Sequence, residues 1–369
     1  MERSQRQSRK LEHIKYALEL EQSPVSTHFE DLHFLHNCLP ELNPADIVLS
    51  ARLCGKTLRL PFIIDAVTGG TDEVTELNRR LAQAAKRCGI GMAAGSQYGA
   101  VKNGECPASF TVIREENPDG LVIANISALA SPKQAQAAVD MLDADALEIH
   151  LNAAQELCMA EGDREFAGLL SNMQRIREHL NVSVIVKETG CGIAAEQYRM
   201  LKQAGFTHFN CAGAGGTSFL LIEAARAGVS LPQPLKSWGV PACWSLLDAA
   251  AALGKEDMLI ASGGIASAEQ ALKALALGAD VVGMARLPLQ LAAGGDVVNF
   301  DIADSEARIS QLCDYLESIG ATLRSCLLLL GCRDLAALRR VPLVITGETG
   351  DFAACRGYEL AALCRKRRF

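Results

Sequence analysis

The sequence predicts an α/β fold, a (β/α)8 TIM barrel with an N-terminal arm and C-terminal helices. Three observations predict it. From residue 60 onward, eight short apolar runs each end in Gly or a polar group. Amphipathic helical stretches separate these runs. Near-continuous apolar strands alternating with helices indicate a parallel sheet covered on both faces. Eight such units suggest closure into a barrel. An open doubly wound sheet is the rival, weakened by the lack of GxGxxG after the first strand.

In order, the predicted strands are 60–66 (LPFIIDA), 89–95 (GIGMAAG), 121–126 (LVIANI), 146–151 (ALEIHL), 182–188 (VSVIVKE), 207–213 (THFNCAG), 258–264 (MLIASGG) and 280–285 (DVVGMA). Helical patterns lie between them, such as 74–89, 131–144 and 194–205, the last ending at a Gly suited to a C-cap. Residues 1–59 form the arm, and 60–369 a single barrel domain. Residues 219–256, with Pro and Trp, read as an extended connection of the kind that acts as a lid. Residues 300–369 look helical and are expected to close the barrel.

Composition bounds the function. Of 369 residues, 49% are hydrophobic and 21% charged, an ordinary soluble balance. The net charge of −7 speaks against nucleic-acid binding. A local basic patch still suits a small anion. One runs through Arg3, Arg6, Arg9, Lys10, His13 and Lys15, and another through 365–368; either reads first as a solvated tail. Thirteen Cys lack metal-ligand spacing and read as reduced apolar fillers, which with the absence of an apolar leader suggests a cytoplasmic protein. The longest apolar runs are too short for a membrane.

In a barrel, chemistry gathers where the strands end. Those ends read AVTGG, GSQ, Asn125, HLNAAQE, VKETG, GAGGTS, ASGGI and MAR. ASGGI, then Ser267 and a helix, suits an anion, and Arg286 and Thr217 are within reach in such a fold. Lys187 ends strand five inside an apolar run. It suits a Schiff base or negative charge on a cofactor ring, with an ion pair to Glu188 or another acid as the plain alternative.

In these residues the chain resembles the type 2 isopentenyl-diphosphate isomerases, FMN-dependent (β/α)8 barrels, along nearly its whole length. The motifs are SRKLEHI (8–14), DAVTGG (65–70), AAGSQ (93–97), IHLNAAQE with AEGDREF (149–166), VIVKETGCGI (184–193), GAGGTSF (213–219), SWGVP (237–241), ASGGI (261–265) and KALALGAD (273–280). The resemblance implies a 1,3-allylic proton shift between isopentenyl and dimethylallyl diphosphate on reduced FMN, with Mg²⁺ and with NADPH as the flavin reductant.

Residue by residue, the resemblance implies that Ala66, Val67 and Thr68 border the flavin and that Ser96 and Asn125 hydrogen-bond it. Lys187 would stabilise the anionic reduced ring. Thr217, Gly263, Gly264, Ala285 and Arg286 would surround its phosphate. Glu156 would bind Mg²⁺. Gln155 would be catalytic, beside the reacting carbons. Ser96, Gln97, His150 and Asn152 would bind substrate, the last two sharing a strand face. Arg9, Lys10 and His13 would clamp the diphosphate, making residues 1–59 a substrate lid. A homotetramer or homo-octamer would follow.

Two departures stand out. Tyr98 follows GSQ where many members have Arg. AVTGG and GGIA replace AMTGG and GGIR or GGLR. The rival readings are a 2-hydroxy acid oxidase-like enzyme, a flavin-binding paralogue with altered substrate, and a nucleic-acid or scaffold protein. The first needs a His base and an Arg clamp after strand six, where the chain reads GAGGTSF.

Overall fold

In the computed structural model, residues 5–20, 23–66, 68–294, 304–359 and 361 are described. Eight strands arise at the predicted runs, β3 reaching one residue beyond its run: β1 (Phe62–Ile64), β2 (Gly91–Ala93), β3 (Val122–Ser127), β4 (Ala146–Leu151), β5 (Ser183–Glu188), β6 (His208–Asn210), β7 (Met258–Ala261) and β8 (Val281–Met284). They pair in parallel in chain order, and β8 closes on β1 with Val282 opposite Phe62. The fold is therefore the closed barrel. Its register sets Asn125 beside Glu148, Ser127 beside His150, and His150 beside Lys187. Because side chains alternate along a strand, Glu148 and His150 share one face.

Helices cover the sheet. They are α1 (Gln5–Glu19), α2 (Thr75–Cys88), α3 (Tyr98–Asn103), α4 (Ala108–Glu116), α5 (Pro132–Leu142), α6 (Ala153–Cys158), α7 (Leu169–His179), α8 (Ala195–Gln203), α9 (Phe219–Ala227), α10 (Gln233–Lys236), α11 (Ala242–Ala252), α12 (Ala268–Ala276), α13 (Arg286–Ala293) and α14 (Ser305–Leu329). Sequence spacing explains their packing. In α2, Leu77, Leu81, Ala84, Ala85 and Cys88 recur every three to four residues and all are buried. The start of α5 is fixed by a capping box: Ser131 Oγ accepts from Gln134 N at 3.3 Å, and Gln134 Oε1 accepts from Ser131 N at 2.8 Å.

The connection at 219–256 differs from the extended lid expected there. It folds largely as α9, α10 and α11, with Leu220, Ile222, Leu246 and Leu247 buried. The Leu- and Ala-rich stretches on either side of its prolines favour helix, and packing fixes them. After the last strand, α14 buries Leu312, Leu316, Ile319, Leu323 and Leu327 and packs along α2 and α13. Residues 32–34 of the arm pair antiparallel with 343–345 near the other end of the chain. The basic run at 365–368 lies outside the described residues.

Candidate active site

At the C-terminal ends of the strands lies a cavity of about 510 Å³, within the range of about 300–1,000 Å³ usual for small-molecule sites. Its wall includes Ala66 and Thr68 after β1, Ser96 after β2, Asn125 on β3, His150 on β4, and Asn152, Gln155 and Glu156 beyond it. Lys187, Thr217, Gly263, Gly264, Ala285 and Arg286 complete the barrel's share, and α1 contributes Arg9, Lys10 and His13. Val67 lies outside the described residues.

Gln97 departs from expectation. Its side chain is fully buried and is no part of the cavity wall. Nε2 donates to Ala138 O, and Oε1 accepts from Asn125 N, each at 2.9 Å. Its amide is engaged with neighbouring backbone, so Gln97 props Asn125 from outside the cavity wall.

Inside the barrel, beneath the cavity, sits a polar hub. Lys187 Nζ donates to Asp65 Oδ2 at 2.9 Å. This resolves the alternatives for the Lys partner: the acid is Asp65, while Glu188 accepts N–H groups from Thr189 and Cys191. Burial alone would lower the Lys187 pKa, but Asp65 and Glu148 raise it above the usual value, and Asp65 is held below its own by Lys187. Asn210 Nδ2 donates to both Asp65 oxygens at 3.3 Å and to Glu148 Oε1 at 3.0 Å. Asn125 Nδ2 donates to Glu148 Oε2 at 3.1 Å. Burial, with the Asp65 charge, pushes the Glu148 carboxyl up to about 7 against the pull of Lys187. His150 Nδ1 meets Asn125 Oδ1 at 2.8 Å, and burial together with Lys187 lowers its pKa to about 4.

The mouth is built differently, from α1 tied by ion pairs and hydrogen bonds. His13 Nε2 lies 2.7 Å from Glu223 Oε1, Arg9 lies 3.5 Å from Glu161, and Glu12 accepts from Arg226 Nε at 2.9 Å. Lys10 Nζ donates to Ser96 O at 3.0 Å. Leu11, Ile14 and Ala17 are buried and anchor α1, with Ile14 also on the cavity wall. Glu223 also accepts from Gln155 Nε2 at 2.9 Å and pairs with Arg226. Its burial opposes ionisation, yet His13, Gln155 and Arg226 together bring its pKa down to about 2. Glu156 accepts from Asn152 Nδ2 at 2.8 Å and from Asp163 N at 2.9 Å.

At the far side, glycines let two loops interlock. A Cβ on Gly216 would stand 2.3 Å from Gly264 N, and one on Gly263 would stand 2.0 Å from Gly213 O. Among the described residues, the N–H groups of Gly216, Thr217, Gly263 and Gly264 meet no acceptor. The helix expected after Ser267 is α12, and neither Ser267 nor any α12 residue is on the cavity wall. Ser267 Oγ already caps α12 by accepting from Gln270 N at 3.2 Å. Among the helices that start on the cavity is α13, with Ala285, Arg286 and Leu287 on the wall. Arg286 Nη2 donates to Leu18 O at 3.1 Å and Leu20 O at 2.5 Å, so it also fastens the end of α1.

Sequence reasoning missed Asp65, Glu148, Asn210 and Glu223. The signal for Glu148 was its period-two relation to His150, and for Glu223 a lone acid in the apolar stretch FLLIEAARA.

Known proteins place this geometry in context. Residues 116–344 match the FMN-dependent dehydrogenase family. The chain is 40% identical to an isopentenyl-diphosphate delta-isomerase of Symbiobacterium thermophilum, with 98% of each chain covered. It is 43% identical to one of Moorella thermoacetica, over 92% of this chain and 94% of that one. Among solved structures, a mandelate oxidase with (S)-2-phenylpropionate aligns with a TM-score of 0.60 at 17% identity, covering 91% of this chain and 90% of that one. That likeness is one of fold.

Proposed function

The chain belongs to the type 2, FMN-dependent isopentenyl-diphosphate delta-isomerase family, and on that premise we propose that it interconverts isopentenyl and dimethylallyl diphosphate by a 1,3-allylic proton shift, in isoprenoid biosynthesis. The observation that carries this reading is the meeting, on one cavity wall, of the basic arm residues Arg9, Lys10 and His13 with Gln155 and Glu156. An anion and a neutral reacting centre can be held there together.

The residues fit FMN. The glycine cradle with its unengaged N–H groups and the start of α13 suits a phosphate. Lys187, kept charged by Asp65, suits the N1–O2 edge of a reduced ring, with Ala66, Val67, Thr68, Ser96 and Asn125 around it. When bound, reduced FMN supplies an electron-rich ring that stabilises cationic character in the alkene carbons. The chain's own residues do the rest. Arg9, Lys10, His13, Ser96, His150 and Asn152 hold the diphosphate. Gln155, steadied by Glu223, lies beside the carbons that exchange protons.

The residues also fit Mg²⁺. Glu156 offers a hard oxygen donor on the cavity wall, and one carboxylate suffices for an ion that keeps its waters and binds diphosphate. In this proposal residues 1–59 act as the substrate lid over the 60–369 barrel domain. NADPH as prior reductant, a cytoplasmic setting and a homotetramer or homo-octamer complete it. The oxidase-like alternative lacks its His base and Arg clamp in residues 213–219. The altered-substrate paralogue rests on Tyr98 alone.

The test is direct. The purified protein should show an FMN spectrum, and after anaerobic reduction it should convert isopentenyl diphosphate with Mg²⁺ to the dimethylallyl isomer, followed by proton NMR. No product with fully reduced flavin sinks the reading. Glu156→Gln should lose activity by about 100-fold with FMN retained; loss of FMN would mean that Glu156 is misassigned.

A further inference from the structure

Glu148 is no part of the cavity wall, yet one of its hydrogen bonds ends there, on Asn125, while the other goes to Asn210 behind it. Above about pH 7 the Glu148 carboxyl is ionised, and an ionised carboxylate only accepts. Both Asn125 and Asn210 must therefore turn their NH₂ groups toward it, at 3.1 and 3.0 Å. Each amide then turns its carbonyl outward. Asn210 Oδ1 accepts from Ser262 Oγ at 2.6 Å, and Asn125 Oδ1 faces His150 Nδ1 at 2.8 Å. An acceptor opposite Nδ1 requires the ring proton on Nδ1. We propose that Glu148 is a positioning residue: through Asn125 it fixes His150 in the Nδ1–H tautomer and leaves Nε2 bare on the cavity side.

The consequence concerns the ligand. A neutral His150 with a bare Nε2 presents an acceptor, whereas a diphosphate oxygen needs a donor. Its titratable and charged surroundings are Lys187 on β5, Asp65 just after β1 and Glu148 on its own strand, with Arg9, Lys10 and His13 also on the cavity wall. Resting on the isomerase reading, this means that the ring takes up a proton as the diphosphate binds, and then donates from Nε2.

Glu148→Gln separates positioning from packing. A Gln amide must point its own NH₂ at one of the two Asn residues, and that Asn must turn over. Asn210 is pinned by Asp65 and Ser262, so Asn125 is the one that turns. Its NH₂ then faces His150 Nδ1, and the ring proton moves to Nε2. A purely structural Glu148 would lower the melting temperature and leave the tautomer alone.

The experiment is a two-bond ¹H–¹⁵N correlation on FMN-loaded, ¹⁵N-histidine-labelled protein, with His150 identified by its loss in His150→Gln. The expected result is a protonated Nδ1 and bare Nε2 in the wild type, reversed in Glu148→Gln. A protonated Nε2 in the wild type overturns the proposal without any variant. An unchanged tautomer in folded Glu148→Gln overturns it equally. Calorimetry with inorganic diphosphate and Mg²⁺ in two buffers of different ionisation enthalpy reads the consequence. At pH 7.5 the wild type should take up close to one proton per site more than Glu148→Gln; equal uptake overturns the coupling to ligand. If the wild type binds no diphosphate, the isomerase reading fails while the tautomer result stands.

Discussion

The hub inside the barrel and the mouth above it both bring charges together, and they do so in opposite ways. In the hub, Asp65, Lys187, Asn210, Glu148 and Asn125 come from strands whose register is fixed by the closed sheet. Their polar groups are buried and partnered, so the arrangement is set before any ligand arrives. At the mouth, Arg9 and His13 reach the cavity from α1 and are paired with Glu161 and Glu223. Those pairs are the ones a diphosphate would replace or share. Rigid strands therefore carry preorganised electrostatics, and an appended helix carries exchangeable charge. In the proposed reading the hub would govern what state the cofactor and His150 adopt, and the mouth how tightly an anion is held.

The contrast breaks first at Lys187. Lys187→Met leaves Asp65 buried without its cation and should cost about 3–5 kcal/mol, read by urea unfolding, with Asp65→Asn in the same chain restoring part of it. A loss no larger than that of an exposed ion pair would remove the distinction. Next is Glu148. Its carboxyl holds a proton in the folded state between its ordinary 4.5 and about 7. The folded protein thus binds more protons than the unfolded one in that window, and stability falls as pH rises through it. Glu148→Gln should flatten that fall by on the order of 2 kcal/mol, measured as unfolding free energy at a series of pH values.

At the mouth, Arg9→Ala should raise KM about tenfold with kcat nearly unchanged, a loss of roughly 1.4 kcal/mol in binding. An unchanged KM would return the arm to a solvated tail. The smallest effect belongs to neither region. Ser131→Ala removes the cap of α5 and should cost about 1 kcal/mol in thermal unfolding with KM and kcat intact. A change in KM there would show that the barrel's outer helices communicate with the mouth.

The fold was largely legible because parallel strands buried on both faces must be apolar throughout, and each of the eight ended in Gly or a polar group. The cavity wall was legible for the same reason, since strand ends define it. The hub was not. Glu148 meets partners 23 and 62 residues away in sequence, and only the register reveals them. Glu223 and His13 are 210 residues apart. Gln97 misled because it adjoins Ser96: one residue on, the chain turns its side chain from the cavity into the packing behind Asn125. The Pro and Trp residues of 219–256 suggested loop, while the Ala and Leu runs beside them made helices.

The most direct test of the account is to follow flavin and product together. FMN-loaded protein is reduced once under anaerobic conditions and given a large excess of isopentenyl diphosphate with Mg²⁺, while absorbance reports the flavin and NMR the substrate. The account predicts many turnovers to dimethylallyl diphosphate with the flavin still reduced at the end, and none when the flavin is left oxidised. Stoichiometric reoxidation of the flavin, or equal turnover with oxidised FMN, would contradict it.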